Sequence, residues 1–171
     1  MVIVDNNILS ALAKIDRLAY LSAVFEEVSS PPSVFEELSR VEVADTSFVD
    51  DIEAVKSYNH GWLEIISPTE EELREAANIR DHALSTTDAQ CIATAIHRDQ
   101  RLLTDDGHVG TVAQQESVEV WDLVLLLQAA IRVGALADSQ ELTTVIDALA
   151  QRDNYQFSDA DRHALFDEWE T

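Results

Sequence analysis

Val2-Ile3-Val4-Asp5-Asn6-Asn7-Ile8-Leu9 is the stretch that decides the fold. Three consecutive β-branched apolar residues suit a strand buried on both faces, as in a parallel sheet covered by helices. The run stops at Asp5-Asn6-Asn7, residue types that favour turns and helix starts, and Ile8, Leu9, Leu12 and Ile15 then recur at helical spacing. The unit this implies is a buried strand feeding a helix through a short turn.

Outward from it the unit repeats. Leu18, Leu21 and Val24-Phe25 continue the helical pattern, and a second strand is expected at 27–30. Pro31-Pro32-Ser33 predicts a helix start with Ser33 as N-cap and Glu36 as its capping-box partner, which puts Glu37 in the first turns. An acidic helix over 45–58 and a strand at 63–66 follow. Thr69 and Glu72 repeat the capping logic for a helix reaching about Ala83. Ser85-Thr86-Thr87-Asp88 opens a helix with Ala89, Ile92, Ala93 and Ile96 on one face. A strand at 101–104 stops at Asp105-Asp106-Gly107, followed by a short helix at 109–115, a strand at 118–121 and an apolar helix at 123–133. Strand–helix alternation of this kind predicts an α/β fold, a central parallel sheet sandwiched by helices. From Asp138 onward only two amphipathic helices are expected, at 142–150 and 160–169. Residues 1–135 are therefore read as the main domain and 136–171 as a helical extension packed on it.

Composition fits one such unit. Of 171 residues, 46% are apolar, enough for a real core, and only 4 Gly and 3 Pro are present, which argues against an all-β fold. No stretch approaches the roughly 20 apolar residues that span a bilayer, so no membrane is expected. Cys91 is the single cysteine, which leaves no intrachain disulfide and no thiolate metal site and suits a reducing cytoplasm. The charge balance is extreme, 33 acidic against 11 basic residues for a net −22, with Lys14 and Lys56 the only lysines. The acids are interleaved with apolar positions, as on the solvated face of a folded protein. This surface resembles those of proteins from salt-accumulating halophiles. It should repel nucleic acid in dilute buffer, where the Debye length is about 10 Å, and hardly bears on binding in molar salt, where it is roughly 3 Å.

Four carboxylates stand out by position. Asp5 and Asp106 lie just past the ends of expected parallel strands, where open α/β sheets place their ligand crevice. Asp88 lies at a helix start, and Glu37 lies early in a helix that follows a strand. Each has a plainer reading: Asp5 as an N-cap, Asp88 in a capping box with Ser85, Asp106 as a turn residue before Gly107, and Glu37 as surface. Their joint placement on one rim is harder to explain that way. Two carboxylates about 5 Å apart repel by roughly 3 kcal/mol at an effective dielectric of 20, so such a group persists only with protons or cations. Oxygen-only ligands suit Mg²⁺ or Mn²⁺ better than zinc, and carboxylate-held ions of that kind hydrolyse phosphodiesters.

These residues resemble the PIN-domain ribonucleases, which include toxins of many toxin–antitoxin pairs. Val2-Ile3-Val4-Asp5-Asn6-Asn7-Ile8-Leu9 is similar to the family's first motif, and Pro32-Ser33-Val34-Phe35-Glu36-Glu37-Leu38 to the second. Ser85-Thr86-Thr87-Asp88-Ala89 with Ile92-Ala93-Thr94-Ala95 resembles the third, and Leu102-Leu103-Thr104-Asp105-Asp106 the fourth. The resemblance implies a Mg²⁺- or Mn²⁺-dependent endoribonuclease acting on RNA, with a homodimer and an antitoxin protein among its partners. It maps Asp5, Glu37, Asp88 and Asp106 onto the acidic quartet, with Asp105 as the alternative to Asp106, and Asn7 and Thr104 onto the polar positions that orient it. The stretch after Gly134 resembles the extension of a less characterised PIN-like subgroup. A second function class also fits: a PIN-like module that binds protein or RNA with little catalysis.

Other residues carry weaker signals. His60, His82, His97, His108 and His163 lack a metal-ligand spacing, and Trp62, Trp121 and Trp169 read as core anchors. Arg98 and Arg101 suit either phosphate or neighbouring acids. No phosphate-binding glycine loop is present.

Overall fold

The computed structural model describes residues 1–40, 47–79 and 83–169. Five parallel strands form its sheet: β1 (Val2–Val4), β2 (Val28–Ser30), β3 (Leu63–Ile65), β4 (Arg101–Leu103) and β5 (Val120–Trp121), in the order β3-β2-β1-β4-β5. β1 is central, with Ile3 registered against Ser29 on one side and Leu102 on the other. Val2, Ile3 and Val4 are fully buried, as their unbroken β-branched run requires. Ser30 is equally buried and satisfies its hydroxyl by donating to the Val4 carbonyl at 2.6 Å.

The helices are α1 (Asn6–Lys14), α2 (Ala19–Val24), α3 (Pro32–Arg40), α4 (Ser47–Ala54) and α5 (Glu70–Ile79), then α6 (Thr86–His97), α7 (Gly107–Gln115), α8 (Leu123–Arg132), α9 (Ser139–Arg152) and α10 (Asp159–Phe166). With the sheet they make the expected three-layer α/β fold. The chain builds outward from β1 through β2 to β3, then returns to lay β4 on the other side of β1. The strand order therefore reverses between β1 and β4. In open α/β sheets the ligand crevice lies at such a reversal, outside the carboxyl ends of the strands, which here are those of β1 and β4.

Several expectations shift by a residue or a turn. Helix α3 begins at Pro32, so Ser33 is not its N-cap: proline's fixed φ and missing N–H suit the first helical position, and Ser33 Oγ instead donates to Gln90 Oε1 at 2.7 Å. The acidic helix expected over 45–58 is shorter. Residues 45–46 lie outside the described segments, α4 ends at Ala54, and a 3-10 turn spans Ser57–Asn59. The chain then passes Gly61, where a Cβ would sit 1.9 Å from the Val55 carbonyl oxygen, so only glycine fits. The capping box of α5 forms as expected, with Thr69 N donating to Glu72 Oε2 at 2.7 Å and Glu72 N to Thr69 Oγ1 at 3.2 Å. Residues 80–82, including His82, lie outside the described segments.

The last two helices are longer at their starts than expected because Asp138 caps α9 and the Ser158–Asp161 box caps α10. Leu142, Val145, Ile146, Leu149, Phe157 and Leu165 join the same core as β1. Each such side chain is worth roughly 1.5–3 kcal/mol on burial. Among the described residues no helix is long and apolar enough to cross a membrane.

Candidate active site

Asp5 sits at the crevice because β1 ends on it and α1 starts from it. Its backbone N–H still belongs to the sheet, donating to the Leu103 carbonyl at 3.2 Å, while its side chain caps α1. Oδ1 accepts from Ile8 N at 2.8 Å, and Oδ2 accepts from Thr104 Oγ1 at 2.5 Å, just past β4. Only 2% of Asp5 is exposed. Burial pushes its carboxyl from 3.8 up to about 7; the bonds from Thr104 and Ile8 pull the other way, and the charges of Asp105 and Asp88 push further up. Thr104, also buried, joins the strand ends: it donates to Asp5 and accepts from Asp106 N at 3.2 Å.

Glu37, half-buried on α3, turns its Oε2 to Asn6 Nδ2 at 2.8 Å. Asn6, one position before the expected Asn7, makes the bond to an acid. Asn7 is exposed, and its carbonyl accepts from Ser10 Oγ. The difference is one of helix phase, since residues one apart on α1 point about 100° apart. Asp88 closes a capping box, accepting from Ser85 Oγ at 2.8 Å and Ser85 N at 3.2 Å. Capping and proximity to Asp5 are both true of it. Cys91, one turn further along α6 and fully buried, reports the convergence: after burial itself, Asp5, Asp88 and Glu37 are the charges that push its thiol up.

The Asp105–Asp106 pair divides its work. Asp106 is exposed and caps α7, with Oδ1 accepting from His108 N at 2.9 Å and Val109 N at 3.1 Å. Asp105 is half-buried, and its Oδ1 accepts from Leu123 N at 3.0 Å and the Tyr155 hydroxyl at 3.4 Å. Burial raises the Asp105 carboxyl above the ordinary aspartate value, with Asp122 and Asp153 adding to the rise. Of the two, Asp105 is the one whose charge reaches Asp5.

A PIN-domain family model matches residues 1–170 of the chain. The chain belongs to the PIN-domain family. No curated protein and no solved structure matches it. PIN domains are generally nucleases that use divalent metals, and the fold here is nuclease-like. The match runs through α9 and α10, so the C-terminal helices lie within the matched region.

Among the described residues of this PIN domain, no three acidic, histidine or cysteine side chains close on one point as a preformed cation cage. Asp5, Asp88 and Asp106 each commit oxygen to a helix start. The donor chemistry nevertheless fits a hard cation. Mg²⁺ usually keeps several waters and binds through one or two carboxylates, which a buried Asp5 flanked by Asp88 and Asp105 supplies.

Arg98 and Arg101, both suited by type to phosphate, are engaged with acids. Arg98 binds the buried Glu72 through Nε at 2.7 Å and Nη2 at 3.0 Å. Arg101 pairs with Glu119 at 2.8 Å and lies over the Trp121 ring, 5.2 Å from its centroid. Trp121 also packs against Phe25, with centroids 5.3 Å apart, which is the anchoring role expected of it.

Proposed function

We propose that this PIN domain is a Mg²⁺- or Mn²⁺-dependent endoribonuclease that hydrolyses RNA phosphodiester bonds with water as nucleophile. One observation carries the reading: a fully buried carboxylate, Asp5, stands at the point where the strand order reverses, with Asp88 and Asp105 close enough to raise its proton affinity. A group held in that state lowers its free energy by taking a cation.

In this reading Asp5 and Asp88 hold the ion with the fourth acid, Asp106 or Asp105, directly or through water. Glu37, steadied by Asn6, holds it or orients the attacking water. Thr104 fixes the orientation of the Asp5 carboxylate by donating to Oδ2. The ion, when bound, supplies a more acidic water and a counter-charge for the departing oxygen. Residues 1–135 form the nuclease domain, and 136–171 an extension packed upon it. The net charge of −22 supports a reading in which the protein works in molar salt in the cytoplasm, where a screening length of roughly 3 Å lets RNA approach. The narrower role suggested by the family is the toxin of a toxin–antitoxin pair, with a neighbouring small DNA-binding protein as antitoxin.

Cleavage of a mixed single-stranded RNA pool in molar KCl with Mn²⁺ tests the reading, comparing the parent with Asp5→Asn. The parent is expected to cut and the variant to lose activity by at least about 100-fold. Full activity in the variant removes Asp5 from the mechanism. The competing reading, a PIN-like binding module, draws on the lack of a ready-made cage among the described residues. It gains if the parent neither binds Mn²⁺ nor cuts any RNA in the pool.

A further inference from the structure

Beside the acids runs a groove of about 320 Å³ whose two banks come from distant parts of the chain. One bank is a stripe of α7: Gly107, Gly110, Thr111 and Gln114 fall at positions i, i+3, i+4 and i+7, on one face of the helix. Asp105, Asp122 and Tyr155 line the groove as well. Tyr155 is brought there by the C-terminal extension. The chain leaves α9, turns at Asn154 with a φ of +56°, and is pinned by Tyr155 N donating to the Leu149 carbonyl at 3.1 Å. The ring stands edge-on to the buried Phe157 at 4.7 Å between centroids, and its hydroxyl reaches Asp105 Oδ1 at 3.4 Å.

The two glycines are the unexpected feature. They are half of the chain's 4; Gly110 lies inside α7, where glycine is less favourable than alanine, and Gly107 is the first residue of that helix. Neither has a positive φ. A Cβ on Gly107 would meet nothing within 4 Å, and one on Gly110 would touch only Val120 Cγ1, at an ordinary 3.5 Å. Neither backbone conformation nor close packing requires them. Both line the groove, so the space a side chain would occupy is groove space.

The geometry points to this groove as the subsite for one unpaired nucleobase of the RNA, lying next to the carboxylates that face the scissile phosphate. The inference rests on the ribonuclease reading and names where its substrate docks. Thr104 lines the groove and holds Asp5, so groove and acids share a residue. A volume near the lower end of ligand pockets, roughly 300–1,000 Å³, admits a base that has left its stack and excludes a duplex. Tyr155 offers the aromatic surface on which bases of any sequence stack. The polar groups are mostly acceptors. Asp105 and Asp122 are carboxylates, and the Thr111 hydroxyl already donates to the Gly107 carbonyl at 2.8 Å, which leaves it accepting. Acceptors repel phosphate and welcome N–H, so bases with an exocyclic amino group are favoured over uracil.

Backbone amide NMR of the whole chain, in molar KCl with EDTA, tests this without any need for cleavage. Titration with cytidine monophosphate is expected to move Gly107, Gly110, Thr111 and Tyr155. Uridine monophosphate should move them less, and ribose phosphate should leave them in place. Gly107→Leu has room for its first side-chain atom and sits at the first residue of α7, where it disturbs no interior packing. It is expected to keep or raise the thermal midpoint and keep Mn²⁺ binding, to abolish the nucleotide shifts, and to raise KM for single-stranded RNA roughly tenfold. Tyr155→Ala should raise KM in the same direction. Suppose the parent cuts RNA, yet cytidine monophosphate leaves the groove amides unmoved and Gly107→Leu keeps the parental KM. The groove inference then falls and the nuclease reading stands. Should no RNA be cut while cytidine monophosphate still moves these amides, and only in the parent, the groove stands as a nucleobase site and the nuclease reading falls.

Discussion

Replacing Asp5 by Asn should stabilise the metal-free protein at neutral pH, although Asp5 caps a helix and makes two hydrogen bonds. The carboxyl is raised from 3.8 to about 7, a shift of about 3 pKa units, which at 1.36 kcal/mol per unit corresponds to about 4 kcal/mol. Because the folded state holds this proton more tightly than the unfolded chain, stability falls as pH rises from about 4 to about 7 and the full penalty persists above that. Below the unfolded value the two states are equally protonated, and the penalty vanishes. Asparagine removes the titration while keeping the cap, since Asn and Asp serve equally at N-cap positions. Thr104, which donates to the carboxylate, can accept from an amide instead. The assay is urea unfolding of parent and variant in molar KCl with EDTA across this pH range. The unfolding free energy of the variant relative to the parent should climb by up to about 4 kcal/mol between about pH 4 and pH 8. The many surface acids cancel in the comparison. Mn²⁺ should then stabilise the parent and not the variant. A pH-independent difference between the two proteins would refute the reasoning, for it would make Asp5 an ordinary cap.

Thr104→Val removes the donor to Asp5 Oδ2 and should cost roughly 10–100-fold in Mn²⁺ affinity or turnover, with Thr104→Ser restoring most of it; equal loss in both variants would mean packing is the cause. Asp105→Asn should lower the pH at which Asp5 titrates, whereas Asp106→Asn should leave it in place, and carboxyl NMR of Asp5 separates them. Glu72 is buried against Arg98, which holds its carboxyl below the ordinary 4.5, so its contribution is present above that value and lost as pH falls further. Glu72→Gln should therefore cost about 3 kcal/mol at neutral pH, the lower end for a broken buried pair because Arg98 reaches solvent, and should flatten the acid limb of the stability curve. An acid limb unchanged in that variant would show that the pair does not govern it.

The legible part of the fold was local. Val2-Ile3-Val4 reads as a buried parallel strand because every residue in it is apolar, and the Thr69–Glu72 box is visible because both partners lie within one turn. Helix α3 shows the limit of local spacing: Ser33 and Glu36 have the spacing of a capping box, but Pro32 is better suited to the first helical position and starts the helix two residues earlier. In the site, the position of Asp5 follows from the strand end alone. The choice between Asn6 and Asn7 depends on the phase of α1 against α3, and the division between Asp105 and Asp106 on which of two adjacent side chains faces inward. Tyr155 had no signal at all. Its contact with Asp105 joins residues 50 apart and depends on how the extension packs over the sheet.

A crystal of the parent protein soaked in Mn²⁺ at molar salt, with anomalous scattering recorded, tests the central claim most directly. An ion liganded by Asp5 and Asp88, directly or through water, is expected at the carboxyl ends of β1 and β4, and is expected to be lost in Asp5→Asn. Saturating Mn²⁺ that binds only surface carboxylates, with the Asp5–Thr104 bond undisturbed and the crevice free of anomalous density, would contradict it.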